Sequence, residues 1–245
     1  MGVFHFKRFD VRNEKSAMKV NTDGVLLGVV MDPSGKELLD IGTGTGTIAL
    51  IAAQRNPEAR ITAVDIDSAS AEEADANFGA SPWGGRLEAI HSSLQDYARG
   101  EHPLFDLVFS NPPYFDNSLT NPDERKSGAR HTADLSYREI FAFCEGSLHG
   151  QSSPGLVENG RIALVLPAEE EKRLMREARS RGFIPLRITW IRTTPRKAPK
   201  RLIAEFVRSI AGTAAACQER CLTLESEGRR TPEYIELTKD FYTNL

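Results

Sequence analysis

The sequence predicts a doubly wound α/β fold in which a seven-stranded, mostly parallel sheet with an antiparallel edge strand carries helices on both faces. Three observations predict it: apolar runs alternating with helical segments from residue 37 onward, a glycine-rich turn closing the first run, and a final pair of β runs joined without a helix. The first five strands are read at 37–41, 60–65, 87–92, 105–110 and 160–166. Helices are read between and after them at 45–55, 68–78, 137–145 and 169–181, where apolar residues recur at three and four spacing. The last two strands, 184–192 and 201–210, flank the basic, proline-containing loop Thr194-Pro195-Arg196-Lys197-Ala198-Pro199-Lys200, so they are expected to pair antiparallel at the sheet's edge. An apolar stretch at 217–225 and a short helix at 232–241 complete the chain. One domain is expected over 1–245: an extension over the site (1–36), a core (37–210) and a tail packed on that core (211–245).

Composition narrows the class. With 245 residues and 40% hydrophobic content, the chain can bury one sizeable core as a globular protein. No apolar run approaches the roughly eighteen residues of a membrane span, and the first residues are polar and aromatic rather than signal-like, so a cytoplasmic location and no membrane partner are expected. Cys144, Cys217 and Cys221 are odd in number and stand beside no histidine at ligand spacing; reduced thiols and no metal are expected. Nothing in the sequence indicates an oligomer, and a monomer is the default. The net charge of −3 conceals segregation: between Lys172 and Arg208 twelve Lys or Arg face only Glu177 and Glu205, whereas residues 58–75 are acidic.

The turn Leu38-Leu39-Asp40-Ile41-Gly42-Thr43-Gly44-Thr45-Gly46 carries the first functional signal. Glycines let the backbone turn sharply and a ligand approach closely, and the following helix offers its free N–H groups to an anionic end. The spacing is G-x-G-x-G with Thr47 where a dinucleotide motif has its last glycine, and Asp40 would repel a pyrophosphate but can bond an ammonium. Both differences favour S-adenosyl-L-methionine, whose amino-acid end carries a carboxylate and an ammonium. Gly42, Gly44 and Gly46 are the predicted cradle. Asp65, closing the second strand, is placed to bond ribose hydroxyls, and Ile66 to pack on the adenine; Asp67 reads as the cap of the next helix. At the third strand's end stands Ser93 where an acid often meets the adenine amine, so that contact passes to a backbone group or to Asp96.

After the fourth strand comes Ser110-Asn111-Pro112-Pro113-Tyr114, at the end of the sheet where ligands bind in this architecture. An aromatic amine delocalises its lone pair into the ring; acceptors that hold both N–H bonds turn that pair outward. The Asn111 side-chain oxygen and the Pro112 carbonyl, held by consecutive prolines, are the candidate acceptors. Tyr114 would stack on the base, a contact worth about 1–3 kcal/mol in single-strand binders. No nucleophile, metal or general base is required, because a sulfonium methyl is already activated and the work is placement. The long polar loop 114–133 is itself a candidate functional segment.

Around these motifs stand Phe6-Lys7-Arg8-Phe9, Ala17-Met18-Lys19-Val20-Asn21-Thr22-Asp23-Gly24-Val25-Leu26-Leu27-Gly28, Ser81-Pro82-Trp83 and Leu237-Thr238-Lys239-Asp240-Phe241-Tyr242. With them the sequence resembles, along almost its whole length, the bacterial tRNA1(Val) adenine-N6 methyltransferases, a Rossmann-like class I family acting on adenosine 37, 3′ of the anticodon. The resemblance implies S-adenosyl-L-methionine as cofactor and the anticodon arm of tRNA as partner. It also implies that Lys19, Thr22 and Asp23 lie over the methionine end of the cofactor, although Asp23 equally suits a cap for the helix that follows. Arg125, Lys126, Arg130 and His131, with Arg196, Lys197, Lys200 and Arg201, are expected to touch RNA phosphates, against the alternative of an ordinary solvated surface.

Three other functions are weighed against this. A protein-glutamine N5-methyltransferase acting on a release factor shares Asn-Pro-Pro-Tyr, since a carboxamide is also a flat amine, but leaves the basic run without purpose. A non-catalytic nucleic-acid-binding module would not need Asn111 to Tyr114 intact. A DNA adenine methyltransferase would need a base-reading domain for which the chain has no room.

Overall fold

The computed structural model describes residues 2–16, 18–113, 135–151, 153–208 and 216–244, and in its central strands successive residues enter two separate apolar layers. On β3 (Glu37–Ile41), Leu38 joins one layer and Leu39 the other; on β6 (Phe105–Ser110), Leu107 and Phe109 join the first and Val108 the second. Strands buried on both faces read as continuous apolar runs, which is why their limits were legible.

The strand order is β10 (Gln218–Thr223), β8 (Phe183–Arg192), β9 (Arg201–Arg208), β7 (Leu156–Pro167), β6, β3, β4 (Arg60–Asp65), β5 (Leu87–His91). Among the described residues the large sheet thus has eight strands rather than seven. β9 runs antiparallel to both β7 and β8, and the other neighbouring pairs are parallel. The antiparallel strand therefore lies inside the sheet, and the edge belongs to β10, paired in parallel with β8 from Gln218 opposite Arg187 to Thr223 opposite Arg192. Edge position explains why β10 escaped recognition as a strand: Gln218, Glu219, Arg220 and Cys221 are exposed and only Leu222 is buried, so no apolar alternation marks it.

The first layer is covered by α1 (Thr22–Val30), α2 (Thr47–Arg55), α3 (Ser68–Ala80) and α7 (Pro232–Thr238), the second by α4 (Leu94–Arg99), α5 (Tyr137–Glu145) and α6 (Glu171–Ser180). α5 begins with a reciprocal cap, Ser136 accepting from Glu139 N–H while the Glu139 side chain accepts from Ser136 N–H. α4 has six residues, too few for a helical period to show in sequence. Ahead of α1 the chain forms the hairpin β1 (Val3–His5) and β2 (Asp10–Arg12), where the Phe6 and Phe9 rings stack at 4.5 Å and Phe6 also stacks with Tyr242 near the other end of the chain. A two-stranded turn, β11 (Glu225–Ser226) and β12 (Arg229–Arg230), leads into α7.

Topology fixes where a ligand can sit. From β3 the chain builds outward through β4 and β5, then returns to place β6 on the other side of β3. The order reverses there, and a crevice opens beyond the carboxyl ends of β3 and β6.

Candidate active site

Leaving β3, the chain passes through three left-handed glycines: Gly42 (φ 69°), Gly44 (φ 57°) and Gly46 (φ 79°). Gly46 precedes α2, and a Cβ there would lie 2.5 Å from the Phe78 ring, so α2 starts two residues later than the apolar pattern implied. Gly42 and Thr43 donate their backbone N–H groups to Val64 O, which seats the turn on the end of β4. Asp65 completes this seat: its Oδ2 accepts from Gly44 N–H at 2.8 Å and its Oδ1 from Asp67 N–H at 2.9 Å. Burial pushes the Asp65 carboxyl above its ordinary pKa, against those two backbone bonds. Asp67 caps α3, accepting from Ser70 N–H and Oγ, and the hydroxyl holds its pKa low.

The crevice is a cavity of about 220 Å³, walled by Gly42, Gly44, Asp65, Ile66, Ser92, Ser93, Leu94, Gln95, Asn111, Pro113 and Leu135, with Ser16 and Met18 on the near side. Ile66 is 49% exposed, an apolar side chain left at the rim where a flat ring could cover it. Ser93 caps α4, accepting from Asp96 N–H and donating to Asp96 Oδ2, while Asp96 also pairs with Arg99. Asp96 is thereby turned toward its own helix. Gln95 is a wall residue that sequence reasoning missed; its amide also meets Glu139.

Asn111 directly follows β6 and is 5% exposed, facing the crevice. The preceding Ser110 Oγ donates to Ile41 O at 2.6 Å, locking the ends of β6 and β3 together. Asn111 Nδ2 donates to Met18 Sδ at 3.4 Å. Pro112 is buried and Pro113 is exposed at the wall. Tyr114, Arg125, Lys126, Arg130 and His131 lie outside the described residues.

Other expected site residues separate into those at the crevice and those away from it. Lys19 borders a smaller cleft beside the glycine turn and donates from Nζ to Glu14 O. Thr22 is the exposed first residue of α1 and lines neither cleft. Asp23 does not cap α1; Asn21 does, accepting from Gly24 N–H at 2.8 Å, and Asp23 instead binds Arg201. Asp40 is fully buried behind the turn, accepts from Thr43 Oγ1 at 2.8 Å, and has its carboxyl pKa pushed up to about 7 by burial and by neighbouring Asp65. It shapes the turn from behind and does not line the crevice. Arg196, Lys197 and Lys200 project into solvent from the β8–β9 loop, beside the carboxyl end of the sheet, and Arg201 opens β9 opposite Pro167.

The surroundings fit S-adenosyl-L-methionine. The left-handed turn leaves space above Gly42 and Gly44 that side chains would fill, the Asp65 carboxylate lines the crevice, and the uncovered apolar side chain of Ile66 stands beside it. Among the described residues no helix is long and apolar enough to cross a membrane, and no group of three or more His, Cys, Asp or Glu could hold a metal.

A doubly wound sheet with an internal antiparallel strand, a left-handed glycine turn after its first core strand and Asn-Pro-Pro after its fourth is the fold of a class I methyltransferase. Residues 16–125 match the family model described as methyltransferase small domain. In sequence the chain is 40% identical over 244 residues to a Parabacteroides distasonis protein (99% of this chain, 98% of that one) and 38% identical over 252 residues to one from Porphyromonas gingivalis (98% and 95%), both named tRNA1(Val) (adenine(37)-N6)-methyltransferase. It belongs to that family. In fold it is similar to a predicted O-methyltransferase from Agrobacterium tumefaciens, at TM-score 0.64 and 20% identity, over 91% of this chain and 100% of the other.

Proposed function

We propose that this chain uses S-adenosyl-L-methionine to methylate the N6 amine of adenosine 37 in the anticodon loop of tRNA1(Val), acting in the cytoplasm. The observation that carries the reading is the meeting of two motifs in one cavity: the glycine turn and Asn111 both wall it. The relatives' names supply the tRNA and the base. They leave no support for the glutamine alternative.

S-Adenosyl-L-methionine, when bound, supplies a methyl group already activated on sulfur. Gly42 and Gly44 allow its close approach, the first N–H groups of α2 suit its carboxylate, Asp65 has lone pairs for the ribose hydroxyls, and Ile66 packs against the adenine. Asn111 and the Pro112 carbonyl hold the N–H bonds of the target amine, so the lone pair leaves the plane of the base. Ser110, bonded to β3, keeps Asn111 in register with the glycine turn, so that donor and acceptor meet without a mobile linker. Tyr114 stacks on the adenine, a base that costs least to expose when it lies in a loop. Phosphate contacts come from Arg125, Lys126, Arg130 and His131 and from the β8–β9 loop.

Nucleoside mass spectrometry of tRNA incubated with the protein and methyl-labelled donor tests this. Labelled N6-methyladenosine at position 37 is expected. Label on a release factor, with none in tRNA, overturns the assignment.

A further inference from the structure

Residues 12–16 and 18–20 run across the mouth of the glycine turn, held there by a side chain that has no part in the site described above. Glu73, on α3, is 4% exposed. Its Oε1 accepts from the backbone N–H of Glu14 at 2.7 Å and of Lys15 at 2.8 Å, and its Oε2 accepts from Ser16 N–H at 2.9 Å. Burial pushes this carboxyl's pKa up, but the three backbone donors outweigh burial and hold it below the ordinary value. One helical turn further on, Asn77 accepts from Arg12 N–H at 2.8 Å and donates to Arg12 O and to Thr45 O in the glycine turn. Three consecutive N–H groups of an irregular segment thus find their acceptor in one buried carboxylate, where otherwise they would turn to water.

The segment held in this way forms the near wall of the crevice. Ser16 Oγ and Met18 O both stand 3.4 Å from the position a Cβ on Gly44 would take, and Met18 Sδ accepts from Asn111 Nδ2. We infer that Glu73 is a positioning residue for the methyl-donor site: its carboxylate holds residues 12–16, and through them the wall at Met18, closed over the glycine turn. Glu73 itself touches no reacting atom. The inference rests on the crevice being the donor site.

The test compares Glu73→Leu, which keeps the bulk and removes both acceptors, with Glu73→Gln, which keeps one. Donor affinity is measured by calorimetry with S-adenosyl-L-methionine, kcat at saturating donor on tRNA, and amide exchange at residues 14–16. Losing three buried acceptor contacts should raise the donor Kd by ~tenfold or more in the Leu variant, while Gln stays within about threefold and kcat changes by less than about threefold in both. Exchange at 14–16 should quicken in the Leu variant while β3 and β4 keep their protection. Unchanged donor Kd in the Leu variant, or an equal loss with Gln, overturns the inference. Should the Leu variant not fold, Lys15→Pro removes one of the three donors from an exposed position and should raise Kd by about threefold; no change there overturns it as well. Absence of donor binding in the unsubstituted protein instead removes the reading of the crevice, and the inference with it.

Discussion

Arg201 Nε donates to Asp23 Oδ2 at 2.7 Å, joining the first residue of β9 to the first turn of α1 across 178 residues of sequence. The sequence assigned these two residues to different ligands, Asp23 to the methionine end of the cofactor and Arg201 to RNA phosphate. In the fold they satisfy each other, with Arg201 34% and Asp23 22% exposed. Screening at that exposure limits the pair to about 0.5–1 kcal/mol. A double-mutant cycle on Asp23→Ala and Arg201→Ala, followed by thermal unfolding, should return a coupling of that size. Zero coupling, with a large loss of RNA affinity from Arg201→Ala alone, would return Arg201 to the phosphate contacts.

Asn111→Ala should lower kcat by about 10²–10³, the range for removing one positioned polar group from a reaction centre, and leave the donor Kd within about threefold. The asymmetry follows from the proposed arrangement, in which Asn111 holds the target amine while the glycine turn and Asp65, on other walls of the same crevice, hold the donor. Calorimetry with the donor and single-turnover kinetics on tRNA separate the two effects. Equal loss of binding and rate would make Asn111 a donor ligand instead.

Asp40 gives the apo protein a pH dependence whose sign is fixed by its burial. Its folded pKa of about 7 stands above the ordinary 3.8, so the fold prefers the protonated carboxyl. The contribution to stability is complete below about pH 4 and is lost as pH rises through about 7, a change of a few kcal/mol at 1.36 kcal/mol per unit. Asp40→Asn keeps an acceptor for Thr43 Oγ1 and carries no charge at any pH. Its melting temperature should exceed that of the unsubstituted protein at pH 8 and converge with it only as pH falls to about 4. A constant difference across that range would mean that Asp40 does not titrate there.

What the sequence made legible were features determined locally. β3, β4, β6 and α5 have the limits that apolar runs and caps implied, because each is buried on both faces or capped by its own neighbours. Gly42, Gly44, Asp65, Ile66 and Asn111 meet at one crevice because short motifs at strand ends carry their own geometry. Features that depend on distant partners were hidden. Nothing near Glu73 signals that it binds three backbone N–H groups nearly sixty residues away, and nothing near Asp23 names Arg201. Asp40 was read as facing the ligand because the motif's spacing does not reveal on which side of the turn its side chain falls. β10 was missed because an exposed edge strand requires no apolar pattern.

The β8–β9 loop provides the last prediction. Arg192 fixes its base, donating from Nε to Thr223 Oγ1 and from NH1 to Pro195 O, so the loop is tied to β10 at the carboxyl end of the sheet. Arg196, Lys197 and Lys200 are exposed on it, whereas Arg201 is engaged by Asp23. If these three cations meet phosphate, each releases counterions on binding, and the triple Ala variant should flatten the slope of log K against log salt by ~2, at about 0.7 per contact. Donor affinity should not change, because the loop lines neither cleft. Filter binding of tRNA across a salt series measures the slope. An unchanged slope would make the loop an ordinary solvated surface and leave the phosphate contacts to other cations of the chain.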